Sequence, residues 1–422
     1  MHPKTLAIQA GYEKGKGEKS IAVPIYQTTA YKFDDTEHGA NLFDLKELGN
    51  IYTRIMNPTT DVLEKRVALL EGGVAALASA SGMASIFYAV ANLAQSGENI
   101  IATTQLYGGT LNQFTHTLSR FGIEVRFFDG NHPQEARALI DSKSRALFFE
   151  SLTNPSIDVP EIDTLAKIAD EYGIVSIVDN TVATPAICRP IEHGVDVVVH
   201  SASKYMGGQG LAIGGVLVES ARVAEKLRGN PRYPHFNTPD PSYHGLVYAS
   251  APLPPFVLRA RLALLRDIGA TLSPFDSWLF IQGIETLSVR MREHSLSAMK
   301  IAHYLQNHPK VQAVYYPGLE SDKNHANAVK YFDEGMFSGL LSFEVGDFEL
   351  AQKIADSVKI FTLATNIGDT KSIITHSAST THRQVSAEGL KKAGVTPGLV
   401  RLSIGLEDYR DLIEDLAQAI DG

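Results

Sequence analysis

IVSIVDNTVATPAICRPIEHGVDVVVHSASKYMGGQG, residues 174–210, is the stretch that decides the fold. Its two apolar runs, IVSIVD and VDVVVHS, are strand-length, rich in β-branched residues and apolar without alternation. That is the pattern of strands buried on both faces of a parallel sheet. Both runs end on polar residues, Asp179 and Ser201, and the second leads through Ser203 to Lys204 and then to Gly207, Gly208 and Gly210. In open α/β sheets, ligands gather beyond the carboxyl ends of the strands. The stretch therefore points both to an architecture and to the place where chemistry is expected.

Working outward, NIIAT (99–103), EVRFFD (124–129) and ALFFE (146–150) read as further buried strands. Helical patterns separate them: TDVLEKRVALLEG, whose apolar face carries Val62, Leu63, Val67 and Leu70, and EIDTLAKIADEYG at 161–173. Alternation of this kind predicts an α/β large domain with a mostly parallel sheet flanked by helices, spanning 61–281. Residues 228–258, rich in proline and aromatics, read as a loop-rich insertion within it, and a lid is the plainer use for such a segment. One long helical pattern covers 273–309. Strand candidates VQAVYYP, GLLSFEV and LVRLSIG then predict a smaller C-terminal α/β domain over 282–422. Residues 1–60 have weak periodicity and breakers at Pro24, Gly49 and Pro58, which predicts an extended arm that a neighbouring subunit orders.

Composition excludes several functions. A net charge of −9 leaves no basic footprint for nucleic acid or anionic membrane. The single cysteine, Cys188, precludes an intrachain disulfide and a cysteine-rich metal site. The 14 histidines form no H-E-x-x-H, and His376 with His382 lacks a third ligand, so no metal is expected. No G-x-G-x-x-G opens the chain, against a dinucleotide enzyme. Without a signal peptide or a long apolar run, a cytoplasmic location is expected.

Four pieces carry chemistry together: Lys204 with its serines and glycines, Asp179, the helix-opening Ser81-Gly82-Met83, and Arg401 in a late strand. Singly these pieces have plainer readings: a solvated lysine, a tight turn at the glycines, a turn cap at Asp179, a salt-bridge arginine. Jointly they are what pyridoxal 5′-phosphate (PLP) asks for. That cofactor needs an amine to form a Schiff base and hydroxyls and a helix N-terminus for its phosphate. It also needs an acid that keeps the pyridine nitrogen protonated. An arginine can then hold a substrate carboxylate.

IYTRIMNPT (51–59), ASGMAS (80–85), LYGGT (106–110), ESLTNPS (150–156), VDNTVATP (178–185), HSASKYMGGQG (200–210) and GLVRLSIGLED (398–408) follow in order along the chain. This series resembles the Cys/Met-metabolism family of fold-type-I PLP-dependent enzymes over nearly the whole length. The resemblance implies a homotetramer built from active dimers, in which Tyr52 and Arg54 reach the phosphate of the neighbouring subunit's cofactor. It implies that Ser81, Gly82, Met83, Ser201 and Ser203 bind the phosphate within the chain. Tyr107 would stack on the pyridine ring and assist the first proton transfer, with Thr181 against the other face. Asp179 would pair with the ring nitrogen, and Lys204 would carry the cofactor and move protons. Asn154 would contact the ring hydroxyl or the substrate carboxylate. Arg401, with Asn366 and Tyr52, would complete the substrate site.

Within that family three features resemble the O-acetylhomoserine sulfhydrylases: the insertion FNTPDPSYHGLVY (236–248), Asn366, and Gly109 where methionine γ-lyases carry cysteine. The implied reaction is γ-replacement on O-acetyl-L-homoserine by a sulfur nucleophile, releasing acetate. Sulfide, methanethiol and a protein thiocarboxylate all remain open as donors. The alternatives are a methionine or cystathionine γ-lyase, a cystathionine γ-synthase, and, more remotely, a non-catalytic binding protein on the same fold. Ser377, where proline is usual, and Arg383, where a small residue is usual, depart from the family pattern.

Overall fold

A computed structural model describes residues 1–13, 19–333, 335–380 and 396–422. The helices used below are α1 (Pro3–Gln9), α2 (Thr36–Phe43), α3 (Pro58–Glu71), α4 (Gly82–Ala91), α5 (Gly108–Asn112), α6 (Ile162–Glu171), α7 (Pro274–Glu285), α8 (Leu287–Gln306) and α9 (Tyr409–Asp421). Seven strands form the large sheet: β1 (Ala75–Ser79), β2 (Asn99–Thr103), β3 (Glu124–Phe128), β4 (Ser144–Glu150), β5 (Val175–Asp179), β6 (Val197–Ser201) and β7 (Gly215–Glu219). Their order is β1-β7-β6-β5-β4-β2-β3. The strands from β6 to β3 run parallel, and β7 is antiparallel to both β1 and β6. Side chains of β2 and β4 are buried on both faces, as the unbroken apolar runs require. Apolar clusters cover the two faces of the sheet.

The second sheet orders as β10-β11-β12-β9-β8, from β8 (Ala313–Tyr315), β9 (Leu340–Glu344), β10 (Thr362–Leu363), β11 (Ile373–His376) and β12 (Leu399–Ser403). Helices α8 and α9 close over it on a separate apolar cluster.

Three expectations need revision. The arm is not wholly extended: α1 and α2 lie within it, and Ala7 of α1 is buried where α1 meets α3. The 273–309 pattern is two helices, interrupted at Thr286. There Gly283 gives its carbonyl to the Arg290 guanidinium at 2.7 Å and to the Thr286 hydroxyl at 3.2 Å. Capture of a carbonyl by side chains in this way interrupts a helix. The insertion is not a loose flap either. Phe236 and Tyr248 are fully buried in the large domain's core, and no residue of 228–258 lines the central cavity.

Candidate active site

The carboxyl ends of β4, β5 and β6 open onto a cavity of about 230 Å³. Its floor is laced together by short-range bonds. Asp179 Oδ1 accepts the Thr181 amide at 2.9 Å and the Thr181 hydroxyl at 2.5 Å, and that same hydroxyl oxygen accepts the Ser201 amide at 2.8 Å. Among the described residues both bonds to Asp179 fall on Oδ1, which leaves Oδ2 to meet a ring N–H. Below this floor, Glu71 Oε1 accepts His200 Nε2 at 2.6 Å and Asn180 Nδ2 at 2.8 Å, and all three residues are buried.

The phosphate end is set by α4. Ser81 caps the helix, its hydroxyl accepting the Ala84 amide at 3.1 Å. Gly82 and Met83 line the cavity in the first turn, where helix amides have no carbonyl four residues back. Glycine is required at 82, because a Cβ there would lie 2.6 Å from the Ser201 Cβ. Ser201 and Ser203 line the same end, and Ser203 Oγ accepts the Gly214 amide at 2.9 Å.

Lys204 reaches in from the turn after β6. Gly208 in this turn has φ +74°, and a Cβ there would meet the Arg290 guanidinium at 2.3 Å, so glycine is needed on two counts. Arg290 in turn donates to the carbonyls of Tyr205 at 2.7 Å and Met206 at 3.2 Å. The break at Thr286 thus serves the lysine turn. Lys204 Nζ donates to Asn366 Oδ1 at 2.6 Å. Burial, and then the Arg401 charge, hold this amine below the usual lysine range, which favours the unprotonated form that a nucleophile or base requires.

Arg401, central in β12, donates to Asn154 Oδ1 at 2.9 Å, to Thr375 Oγ1 at 3.2 Å and to the Asn366 carbonyl at 3.3 Å. Burial pushes it down to about 10, which leaves it charged at neutral pH, and among the described residues its Nε has no partner. Asn366 therefore touches both the amine and the guanidinium. Tyr107, about half exposed, lines the cavity at the start of α5. Gly109 makes room for its ring, since a Cβ there would sit 2.5 Å from Tyr107 Cε1.

One residue that the sequence reading missed belongs here. Glu150 ends β4 in register with Asp179 and lines the cavity. It accepts the Tyr107 amide at 2.6 Å and the Asn154 amide at 3.3 Å, so one carboxyl group fixes two site loops. Burial, and then the Asp179 charge, push it well above the usual carboxylate range. Burial also pushes Asp179 up, but the two Thr181 bonds and then the His200 charge oppose that rise, so Glu150 is the more strongly raised of the pair. The rule that singles out Asp179, a polar residue closing a buried strand, applies equally to Glu150.

Tyr52 and Arg54 lie apart from this chain's cavity. Arg54 donates to the Arg266 carbonyl, and Tyr52 is exposed. Ser377 is buried just after β11, and Arg383 lies outside the described residues, as does His382. Among the described residues no three His, Cys, Asp or Glu side chains could hold a metal, and no helix is long and apolar enough to cross a membrane.

The donor set fits a phosphorylated pyridine aldehyde: a depressed lysine amine, a carboxylate oxygen free for a ring N–H, and a glycine-and-serine cradle at a helix N-terminus. Fold and site together define a PLP-dependent enzyme of the type-I fold. The model of the Cys/Met metabolism PLP-dependent enzymes matches residues 4–421, and the chain belongs to that family. It is 46% identical over 428 aligned residues to an O-acetyl-L-homoserine sulfhydrylase of Leptospira meyeri, covering 99% of this chain and 96% of that one. It is also 46% identical to O-acetyl-L-homoserine sulfhydrylase 1 of Thermus thermophilus, with both chains fully covered. A Campylobacter jejuni crystal structure, assigned as an O-acetylhomoserine (thiol)-lyase and containing N′-pyridoxyl-lysine-5′-monophosphate, superposes with a TM-score of 0.98 at 50% identity over the whole of both chains.

Proposed function

We propose that this protein joins a sulfur nucleophile to Cγ of O-acetyl-L-homoserine, releasing acetate and giving homocysteine, or methionine when methanethiol is the donor. The observation that carries the reading is Asn366, which bonds Lys204 Nζ through its side chain and Arg401 through its carbonyl. A substrate carboxylate held by Arg401 is thereby set at a fixed reach from the amine that moves protons. When bound, the cofactor supplies the electron sink that makes the protons on Cα and Cβ removable.

Lys204 Nζ takes the Cα proton and, one carbon along, the Cβ proton, which lets acetate leave Cγ. Once sulfur has joined Cγ, the same amine returns the protons. Tyr107, which lines the cavity, would assist the first transfer, and Asp179 would hold the ring nitrogen of the bound cofactor. Asn154 and Asn366 orient the carboxylate against Arg401. Ser81, Gly82, Met83, Ser201 and Ser203 would hold the phosphate, and Thr181 would contact the ring.

Among the described residues Lys204 is the one cationic side chain lining the cavity, so those residues offer a dianionic phosphate no further counter-charge. That supports a shared site, in which Tyr52 and Arg54 of one subunit serve the neighbour's cofactor within a homotetramer of active dimers. The division into an arm (1–60), a cofactor domain (61–281) and a C-terminal domain (282–422) belongs to the same proposal. The two sheets fall on either side of the later boundary, and the helix break at Thr286 lies beside it.

A product assay tests the reaction. Acetate release that depends on sulfide, without keto acid, is expected from O-acetylhomoserine. Keto acid formed without sulfide would make the protein a γ-lyase. Replacing sulfide by methanethiol or a protein thiocarboxylate identifies the donor. Lys204→Ala is expected to abolish turnover, and wild-type rates in that variant would refute the scheme.

A further inference from the structure

The insertion at 236–248 resembles a sulfhydrylase feature, yet it stands away from the cavity. Its contacts lead elsewhere. Asp240 and Leu246 pair as an antiparallel bridge, and the Tyr248 hydroxyl donates to Asp240 Oδ2 at 2.7 Å. His244 at φ +52° and Gly245 at φ +79° turn the chain between them. With Phe236 and Tyr248 buried at its base, this hairpin is anchored in the large domain.

Its tip holds the arm. The Tyr243 hydroxyl donates to the Phe43 carbonyl, at the end of α2, at 3.0 Å. The Arg266 guanidinium lies over the Tyr243 ring, 5.6 Å from its centroid, and reaches the Ser242 carbonyl at 3.4 Å. Arg266 is itself set by Asp267 at 2.7 Å. Its backbone carbonyl accepts Arg54 Nη1, and the Arg54 guanidinium also lies over Tyr52, 5.5 Å from the ring centroid. Arg54 makes no salt bridge to a carboxylate among the described residues. Its bonds are to neutral groups, and its charge acts only at longer range on the Asp267 carboxylate, which Arg266 engages directly.

We propose that this hairpin is a brace for the arm: through Tyr243 and Arg266 it holds Arg54 oriented for the cofactor phosphate of the neighbouring subunit. The inference rests on the shared-site reading above. Tyr243 and Arg266 are positioning residues, and neither touches the reacting atoms. Residues 44–57 are irregular backbone carrying a long, flexible cation. Ordering such a segment opposes binding, and a brace that orders it beforehand removes that cost from the binding step.

The test is cofactor titration of the apo-oligomer, followed by absorbance and protein fluorescence, with sedimentation confirming assembly. Arg54→Ala is expected to weaken PLP binding at least a hundredfold. Tyr243→Ala, which loses the hydroxyl bond and the cation–π contact, is expected to weaken it roughly tenfold. Tyr243→Phe keeps the ring and should lie between Tyr243→Ala and wild type, which preserves the test should the alanine variant fail to fold. In an Arg54→Ala background the Tyr243 substitutions should have no further effect, whereas a purely structural role would persist there. Wild-type PLP affinity in Arg54→Ala would overturn the shared site, and the brace with it. Weak binding in Arg54→Ala alone, or Tyr243 losses that persist in that background, would leave the shared site standing and overturn the brace.

Discussion

Replacing Gly109 by alanine sets two effects of opposite sign against each other. The new Cβ would lie 2.5 Å from Tyr107 Cε1, where ordinary contact begins at 3.4 Å, so one group must retreat by roughly 1 Å. The ring will move, because Tyr107 is about half exposed whereas position 109 is held within α5. Helix propensity favours the change: alanine is better than glycine in a helix interior by about 0.5–1 kcal/mol. The apoprotein should therefore melt at the same temperature or slightly higher. Cofactor binding should suffer, since an aromatic stack is worth about 0.5–1.5 kcal/mol beyond area burial, or roughly a two- to tenfold rise in the PLP dissociation constant. Titration of apoprotein with PLP measures the second effect and a melting curve the first. Unchanged PLP affinity would show that the Tyr107 ring is not part of the cofactor's bed. A lower apo melting temperature would show that the clash is relieved by the helix rather than by the ring.

Two other substitutions have expected outcomes. Arg401→Lys replaces a two-pronged donor that spans Asn154 and Thr375 with a point charge. KM for O-acetylhomoserine should rise about ten- to hundredfold, in line with a charge-assisted hydrogen bond, with a smaller change in kcat; an unchanged KM would remove Arg401 from the substrate site. Glu219, buried at the end of β7, is pushed up to about 7 by desolvation. Its contribution to stability is fully present below its ordinary value of 4.5 and is lost as pH rises through about 7. Glu219→Gln should flatten the fall in unfolding free energy across that window, as urea melts at a series of pH values would reveal, and an identical slope would contradict the assignment.

Much of the site was legible because it sits where strands end. Apolar runs located β2 to β6, and a polar residue closing such a run marked Asp179 and Ser201. The same logic, applied evenly, reaches Glu150, but a lone glutamate after ALFFE looks like an ordinary exit to solvent until β4 and β5 are seen side by side. Glu71 and His200 gave no local signal. They are 129 residues apart in sequence, and only the packing of α3 against β1 and β7, the latter paired with β6, brings them together. Strand β7 was hidden because GVLVE follows a glycine cluster that reads as a turn. The break at Thr286 was equally hidden, because it comes from side chains of Thr286 and Arg290 capturing the Gly283 carbonyl, a contact with no periodicity of its own. The insertion misled through composition: prolines and aromatics suggest a surface lid, while Phe236 and Tyr248 are in fact buried anchors.

Helix α3 joins two ends of this arrangement. The arm grips its first turn, where Thr59 Oγ1 donates to the Pro24 carbonyl at 2.9 Å and Asn57 Nδ2 to the Tyr26 carbonyl at 2.8 Å. Its last residue, Glu71, lies under the strand ends that carry Asp179 and Ser201. Fourteen residues make a rod about 21 Å long, stiff on the scale of these bonds. Whatever steadies the arm in an assembly bears on the foundation of the cofactor's carboxylate, and linkage makes such coupling reciprocal. Colour and quaternary structure should accordingly be lost together on dilution, and added PLP should restore both.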